Sequence, residues 1–446
     1  MKSKFVPWAI STAMCLTGLS ANSQCAVVGW ASENGGVTGG GTATPVIVTN
    51  YTDLKAAITS TSVKVVHVSG TITIPSGGRI SFQDQSDKTI FGLPGAKLVS
   101  TDLTTSNSGI IYVKRCTNVV FRNLTLEGPG AYDTDGWDNM TLDNCANVWV
   151  DHCEFQDGLD GNFDIKNMSD YISVTWCKFI YNKAPIPDGP GGSDDHRFSD
   201  LFGSGDGATT DRGHLRVTLQ NCWWAQGCVA RMPRVRFGKV HVANNLFNST
   251  VAAQCVMAGF EADLLVESNV FENVKKPIDK MDNTYTAITA RDNVFTNTTG
   301  NTTGSGTAFT PPYTLTITPV ANVKAAVMAG AGATLTEDCL GVLDITGTRD
   351  GSTRLGDEPA ANRISIYPNP AKGKAIIAVT LKKNEQAVIR VYDANGRLVD
   401  NLPVVTAFTA GTQKVPYSLA GKAPGIYNVF VTTGKGVQST YKLVVQ

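Results

Sequence analysis

NVWVDHCEF at Asn147–Phe155 and ISVTWCKF at Ile172–Phe179 follow one plan: alternating apolar residues, a thiol, one spacer and an aromatic. RVTLQNCWW (Arg216–Trp224), KVHVANNLF (Lys239–Phe247), DLLVESNVF (Asp263–Phe271) and AITARDNVF (Ala287–Phe295) repeat it, with Asn replacing Cys in the last three. The shared column is Cys153, Cys177, Cys222, Asn245, Asn269 and Asn293, and four of its five steps are 23 or 24 residues. The step from Cys177 to Cys222 is 45, about the length of two coils, and contains the Gly/Asp/Pro-rich stretch 185–211. NVVFRNLTL (Asn118–Leu126) reads as an earlier rung.

A strand-and-turn repeat of this period, without helical periodicity, implies a solenoid. Equivalent positions of successive coils then stack at roughly 4.8 Å, so an inward Asn column can hydrogen-bond along itself. A β-sandwich would instead need antiparallel hairpins with turn signals every ~8–12 residues. The predicted fold is therefore all-β: a right-handed parallel β-helix. Its Cys153, Cys177 and Cys222 are read as buried thiols, the alternative being disulfides. Asp53–Ile58, after the N-cap candidate Thr52, reads as a short helix closing the N-terminal end.

The N-terminus reads as a secretory signal over residues 1–23. Lys2 and Lys4 precede an apolar run to Leu19, and Ala21-Asn22-Ser23 offers a small-residue cleavage site. No later run is long and apolar enough for a membrane span. Ten cysteines are present; with Cys15 in the leader, nine remain, so at least one has no intrachain partner. No CxxC pair or His/Cys cluster supports zinc. Lys+Arg 38 equals Asp+Glu 38, so no global field favours nucleic acid, and a polyanionic ligand would need a local basic patch.

The β-helix domain is assigned to residues 24–340, a Gly/Asp/Thr-rich linker to 341–363, and a small C-terminal β-sandwich to 364–446. Alternating strands are expected at Ala375–Leu381, Ala387–Asp393, Arg397–Leu402 and Ile426–Thr432, with a hairpin turn at Asn395-Gly396. Ser365-Ile366-Tyr367-Pro368-Asn369-Pro370, Gly425-Ile426-Tyr427-Asn428-Val429 and Lys442-Leu443-Val444-Val445 resemble the C-terminal sorting domains of the type IX secretion system. That resemblance implies export, with the secretion machinery as a partner. A carbohydrate-binding or spacer module is the alternative, disfavoured because Trp, the usual sugar platform, is absent from the segment.

Three aspartates, Asp138, Asp160 and Asp164, and the run Arg231-Met232-Pro233-Arg234-Val235-Arg236 carry the functional reading. Carboxylates suit a hard cation, and guanidinium groups suit a carboxylate ligand. An Asp-x-x-x-Asp pair alone is more often a solvated loop. With Asp151 of Trp149-Val150-Asp151-His152 thirteen residues after Asp138, and with Arg231-x-Pro233-x-x-Arg236 downstream, the pattern resembles the pectate lyases of polysaccharide lyase family 1 over roughly residues 26–300.

The resemblance implies a secreted enzyme that cleaves polygalacturonate by β-elimination with Ca²⁺ as cofactor; nothing in the sequence demands more than a monomer. Asp138, Asp160 and Asp164 would hold the metal, with Asp133, Asp135 and Asp157 nearby. Arg231 would be the base and Arg236 a substrate-carboxylate ligand. A guanidinium base requires a local field that favours its neutral form and an alkaline medium. The family's substrate-binding lysine is missing. Phe198 stands in its register, leaving Arg197 and Lys183 as candidate substrate-binding cations. Arg234 is expected to face elsewhere, His152 to belong to the scaffold, and His196 is left undecided. The alternatives are a pectin lyase acting on methyl-esterified polymer without calcium, a hydrolytic polygalacturonase, and a non-catalytic polysaccharide-binding β-helix.

Overall fold

The computed structural model describes residues 26–338, 341–342, 364–367, 369, 371–381, 385–393, 397–408, 411–433 and 438–446. The expected leader, and the linker apart from Gly341–Val342, lie outside these residues. Two compact units separate between Thr348 and Arg349.

The first unit is a parallel β-helix of three sheets. Sheet A has ten strands from Val46–Val48 to Ala287–Arg291. Sheet B has nine, from Thr71–Ile74 to Val294–Thr296, and sheet C has eight, from Ile80–Gln83 to Ile278–Asp279. Sheet A meets sheet B at a corner where one residue per coil takes the left-handed conformation. Asn123, His152, Trp176, Asn221, Asn244, Ser268 and Asp292 have φ between 48° and 58°. Asn, Asp and His accept this region more readily than most residues, and the corner explains His152. Its Nδ1 lies 2.8 Å from Asp151 and its ring stacks on Trp176, confirming a scaffold role.

Just past the corner the residues point inward. Cys153, Cys177 and Cys222 are buried free thiols. The Asn column is a hydrogen-bonded ladder: Asn245 Nδ2 donates to Asn269 Oδ1 at 3.0 Å, and Asn269 Nδ2 to Asn293 Oδ1 at 2.9 Å. Two residues on, Phe155, Phe179, Trp224, Phe247, Phe271 and Phe295 form a continuous ring stack with centroids 4.5–5.2 Å apart. Trp223, the outward neighbour of Trp224, packs beside Val323 and Val327 of the helix α2 (Val320–Gly330).

Two sequence expectations need correction, and the long step is settled. The closing helix α1 runs Tyr51–Thr59, and its N-cap is Asn50, whose side chain accepts the Asp53 N–H; Thr52 lies inside the first turn. Lys88 closes the other end of α1, donating to the carbonyls of Ala57, Ile58 and Ser60. The 45-residue step is one coil, since strand Asp170–Thr175 of sheet A pairs directly with Val217–Gln220. Its extra length is a loop between Lys178–Ile180 and Asp200–Phe202, and it carries His196, Arg197 and Phe198. Arg234 does not face away, as described below.

The second unit holds two antiparallel sheets. Ile364–Tyr367, Lys374–Leu381 and Gly411–Ser418 form one; Leu398–Phe408, Glu385–Tyr392, Gly425–Thr433 and Gln438–Val445 form the other. Their inner faces share a core including Ile377, Val379, Val391, Val429 and Leu443. The expected turn at Asn395-Gly396 lies outside the described residues, and the strands flanking it pair antiparallel.

Candidate active site

Alternation along sheet C sets the site. In Phe163–Lys166, Phe163 and Ile165 are buried in the core, so Asp164 and Lys166 project from the other face. Parallel register continues the column of Asp164 through Thr141 and Tyr112 on one side and through Leu201, Arg234 and Met257 on the other.

Asp164 accepts the Leu201 N–H at 3.1 Å. Burial pushes its carboxyl up to about 6; nearby Asp160 adds to this, while Lys166 and Arg231 oppose it. Asp138 is buried one coil earlier and accepts from Thr141 Oγ1 at 3.0 Å. Burial, then Asp164 and Asp160, hold it well above the ordinary carboxylate range. Gly161 makes room for it, because a Cβ there would stand 2.5 Å from Asp138 Oδ1.

Asp160 turns partly toward another neighbour. His196 Nε2 lies 3.1 Å from Asp160 Oδ1, and His196 Nδ1 lies 3.3 Å from Asp133 Oδ1. Neither contact has hydrogen-bond geometry. Among the described residues, Asp133, Asp160 and His196 form a set whose ligand atoms converge within 4.8 Å, and the expected three aspartates do not. Asp160 nonetheless raises both Asp138 and Asp164, and Asp164 raises Asp138. Asp133 is held by the Ser193 N–H at 2.8 Å. Asp135 is exposed, and Asp157 is occupied by the amides of Asn182 and Lys183. The three aspartates fit a hard cation: their donors are carboxylate oxygens, and Asp138 and Asp164 are raised first by burial and then by neighbouring carboxylates.

Arg231 lies two coils beyond Asp164, in the left-handed region at φ 58°. The Asp200 N–H and the Cys255 carbonyl pin its segment, at 2.7 Å to Arg231 O and 2.9 Å to Met232 N. Its guanidinium lies over the Phe198 ring and has no acid partner among the described residues. Arg236 is buried and bonded to Asp206 at 2.7 Å and to the Gly203 carbonyl at 2.9 Å.

Arg234 belongs to this face, contrary to expectation. Arg231 sits outside the strand Arg234–Val235, so strand alternation does not separate the two, while Arg234 and Arg236 are two residues apart. Burial, then Arg236 and Arg231, lower the Arg234 guanidinium below its ordinary value. The two candidate substitutes for the family lysine are engaged locally. Arg197 pairs with Asp195 at 2.6 Å, and Lys183 bonds Glu127 and the Gly128 carbonyl at 3.1 and 2.7 Å. Lys166, unremarked in the sequence, was legible as the residue two after Asp164 on a strand. His196 gave no such signal, because a long loop delivers it.

The pectate lyase sequence model matches residues 3–334, and the model of a secretion-system C-terminal sorting domain matches 365–446. Pectate lyase plyB of Emericella nidulans is 32% identical over 303 residues, covering 66% of this chain and 82% of that one. Pectate lyase A of Aspergillus niger is 33% identical over 337 residues, covering 74% and 94%. Among solved structures, a pectate lyase of Bacillus sp. N165 in complex with trigalacturonate superposes with a TM-score of 0.55 at 22% identity, over 69% of this chain and 98% of that one. A pectate lyase variant from Xanthomonas campestris gives 0.54 at 24%, over 69% and 98%. These two show the shared fold. The sorting domain marks a secreted or cell-surface protein. With a family match across most of its length, and relatives above 30% identity matched over more than four-fifths of their own chains, this chain belongs to the pectate lyase family of polysaccharide lyases.

Proposed function

We propose that the protein cleaves α-1,4-linked polygalacturonate by Ca²⁺-dependent β-elimination, releasing oligogalacturonates with 4,5-unsaturated ends. The observation that carries the reading is the placement of an acid-unpaired guanidinium, Arg231, on the same face as the buried carboxylates Asp138 and Asp164. Residues 1–23 would leave as a signal peptide, and the module from 364 would address the exported chain.

Asp138, Asp160 and Asp164 would hold the cation. Ca²⁺, when bound there, supplies neutralisation of the uronate carboxylate and so acidifies the adjacent C5–H. Arg231 takes the C5 proton. The electron pair of that bond forms the C4=C5 double bond, the C4–O4 bond breaks, and O4 leaves with a proton from solvent. Arg236 is held by Asp206 and Gly203 as a fixed carboxylate ligand. Arg234 and Lys166 supply cations on the same face, so Arg197 and Lys183 are not required in the lysine's place. His196 stands between Asp160 and Asp133, its ring nitrogens 3.1 and 3.3 Å from their carboxylate oxygens.

The test is ultraviolet absorbance of polygalacturonate at alkaline pH, with Ca²⁺ and then with excess chelator. A rise abolished by chelation, by Arg231→Ala and by Asp164→Ala supports the reading. A rise on methylated pectin that survives chelator would replace it with pectin lyase. No rise on either polymer, with new reducing ends, would replace it with hydrolysis.

A further inference from the structure

The β-helix unit pairs its arginines with acids. Arg115, Arg122, Arg197, Arg212, Arg216, Arg236 and Arg291 each contact a carboxylate. Among the described residues, Arg79, Arg231 and Arg234 do not. Two of these belong to the candidate active site. Arg79 stands at the opposite end of the same sheet, immediately before its first strand, Ile80–Gln83.

Arg79 is not a free surface arginine. Its Nε and Nη1 are buried and have no hydrogen-bond partner. Its guanidinium carbon lies 3.7 Å from the centre of the Trp137 ring and 5.6 Å from that of Tyr112. Those rings meet edge to face at 5.0 Å. Two lysines border them: Lys166 Nζ lies 5.3 Å from the Trp137 ring and Lys114 Nζ 5.8 Å from the Tyr112 ring. Burial lowers the Arg79 guanidinium below its ordinary value, as expected for a half-buried cation that contacts no carboxylate.

The cluster continues into the active-site face. Tyr112 is in register with Thr141, and Thr141 with Asp164, so the tyrosine sits two coils from Asp164, roughly 10 Å along the helix axis. Aromatic rings beside a guanidinium that contacts no carboxylate suit a sugar that presents an apolar face and a carboxylate.

We propose that Arg79, Trp137 and Tyr112, flanked by Lys114, form a distal subsite for a uronate residue of the bound polymer. It lies beyond the sugars that contact the acid cluster and makes the enzyme select long chains. The inference rests on the polygalacturonate reading above.

The experiment compares kcat/KM on tri- and octagalacturonate for the full chain, Arg79→Ala, Trp137→Ala and the conservative Arg79→Lys. The expected result is a fall of roughly tenfold in the octamer-to-trimer ratio for both alanine variants, mainly through KM, with partial recovery in Arg79→Lys. Thermal melts and calcium titrations by calorimetry establish that each variant is folded with its acid cluster intact. A ratio unchanged in folded Arg79→Ala and Trp137→Ala overturns the proposal and leaves the cluster as packing. If the parent has no lyase activity, the reaction reading fails. The subsite is then judged by calorimetric titration with saturated octagalacturonate: tenfold weaker binding by Arg79→Ala upholds it, and equal binding refutes it.

Discussion

The guanidinium carbon of Arg231 lies 4.6 Å from the centre of the Phe198 ring. The ring is itself fixed, because the Phe198 carbonyl accepts the Tyr181 hydroxyl at 2.6 Å and its face packs 4.3 Å from His196. A ring partner holds the arginine in place without occupying its N–H groups, which a carboxylate would do. Phe198→Ala is expected to lower kcat/KM on polygalacturonate by about two- to thirtyfold, the range of one cation–π contact. Calcium affinity is expected to stay unchanged, and Phe198→Tyr to retain most activity. Steady-state kinetics with a parallel calcium titration checks this; an equal loss in calcium affinity would point to collapse of the whole loop.

Gly161 is a spacer for the acid cluster. An alanine Cβ would stand 2.5 Å from Asp138 Oδ1 and force that carboxylate aside. Gly161→Ala is expected to weaken Ca²⁺ binding roughly 10- to 100-fold, as lost support of a ligand commonly does, with little change in melting temperature. Calorimetric titration with Ca²⁺ reads the effect. Undiminished affinity would remove Asp138 from the ligand set.

Asp200 is a carboxyl inside the β-helix. It accepts the Trp224 indole N–H at 2.6 Å, and burial raises it well above the ordinary carboxylate range. The folded state therefore keeps a proton that the unfolded chain has already released. Its stabilisation is complete below the unfolded carboxylate value and is lost as pH rises through the raised folded value. Asp200→Asn retains an acceptor for Trp224 and removes that titration. The variant is expected to lose less melting temperature than the parent between pH 5 and pH 9, by a few degrees. Scanning calorimetry across this range decides; parallel curves would refute the assignment.

The two halves of the inner column should differ in cost. Asn269 accepts from both the backbone N–H and the side chain of Asn245, and donates to the Val242 carbonyl and to Asn293. Asn269→Leu strands these groups in the core and is expected to cost about 3 kcal/mol or more. Cys177 is a buried free thiol, and Cys177→Ala is expected to cost roughly 1 kcal/mol. Denaturant titrations of both variants test the contrast. A larger loss at Cys177 would show that the thiol column bears more of the load.

The coil repeat, the inward Cys/Asn column, the antiparallel texture of the C-terminal unit and the outward projection of Asp164 from its strand were legible in the sequence. Each follows from a local rule: alternation along a strand, a fixed repeat length, or a short motif. The N-cap at Asn50 was missed by two residues, because Thr52 and Asn50 are both competent caps and only the backbone path selects between them. The long step was left open between an extra rung and a loop, because counting residues cannot tell the two apart.

Tertiary structure alone decided the contents of the site. His196 reaches Asp160 through a loop whose path no period encodes, and Arg79 reaches Trp137 across two coils. Arg234 joins Arg231 because the chain leaves strand geometry at Arg231, where the alternation rule no longer applies. Sequence determined the ladder, since each rung repeats the same local instructions. The neighbours across rungs, and hence which cations find acids and which remain free for a ligand, exist only once the coils are stacked.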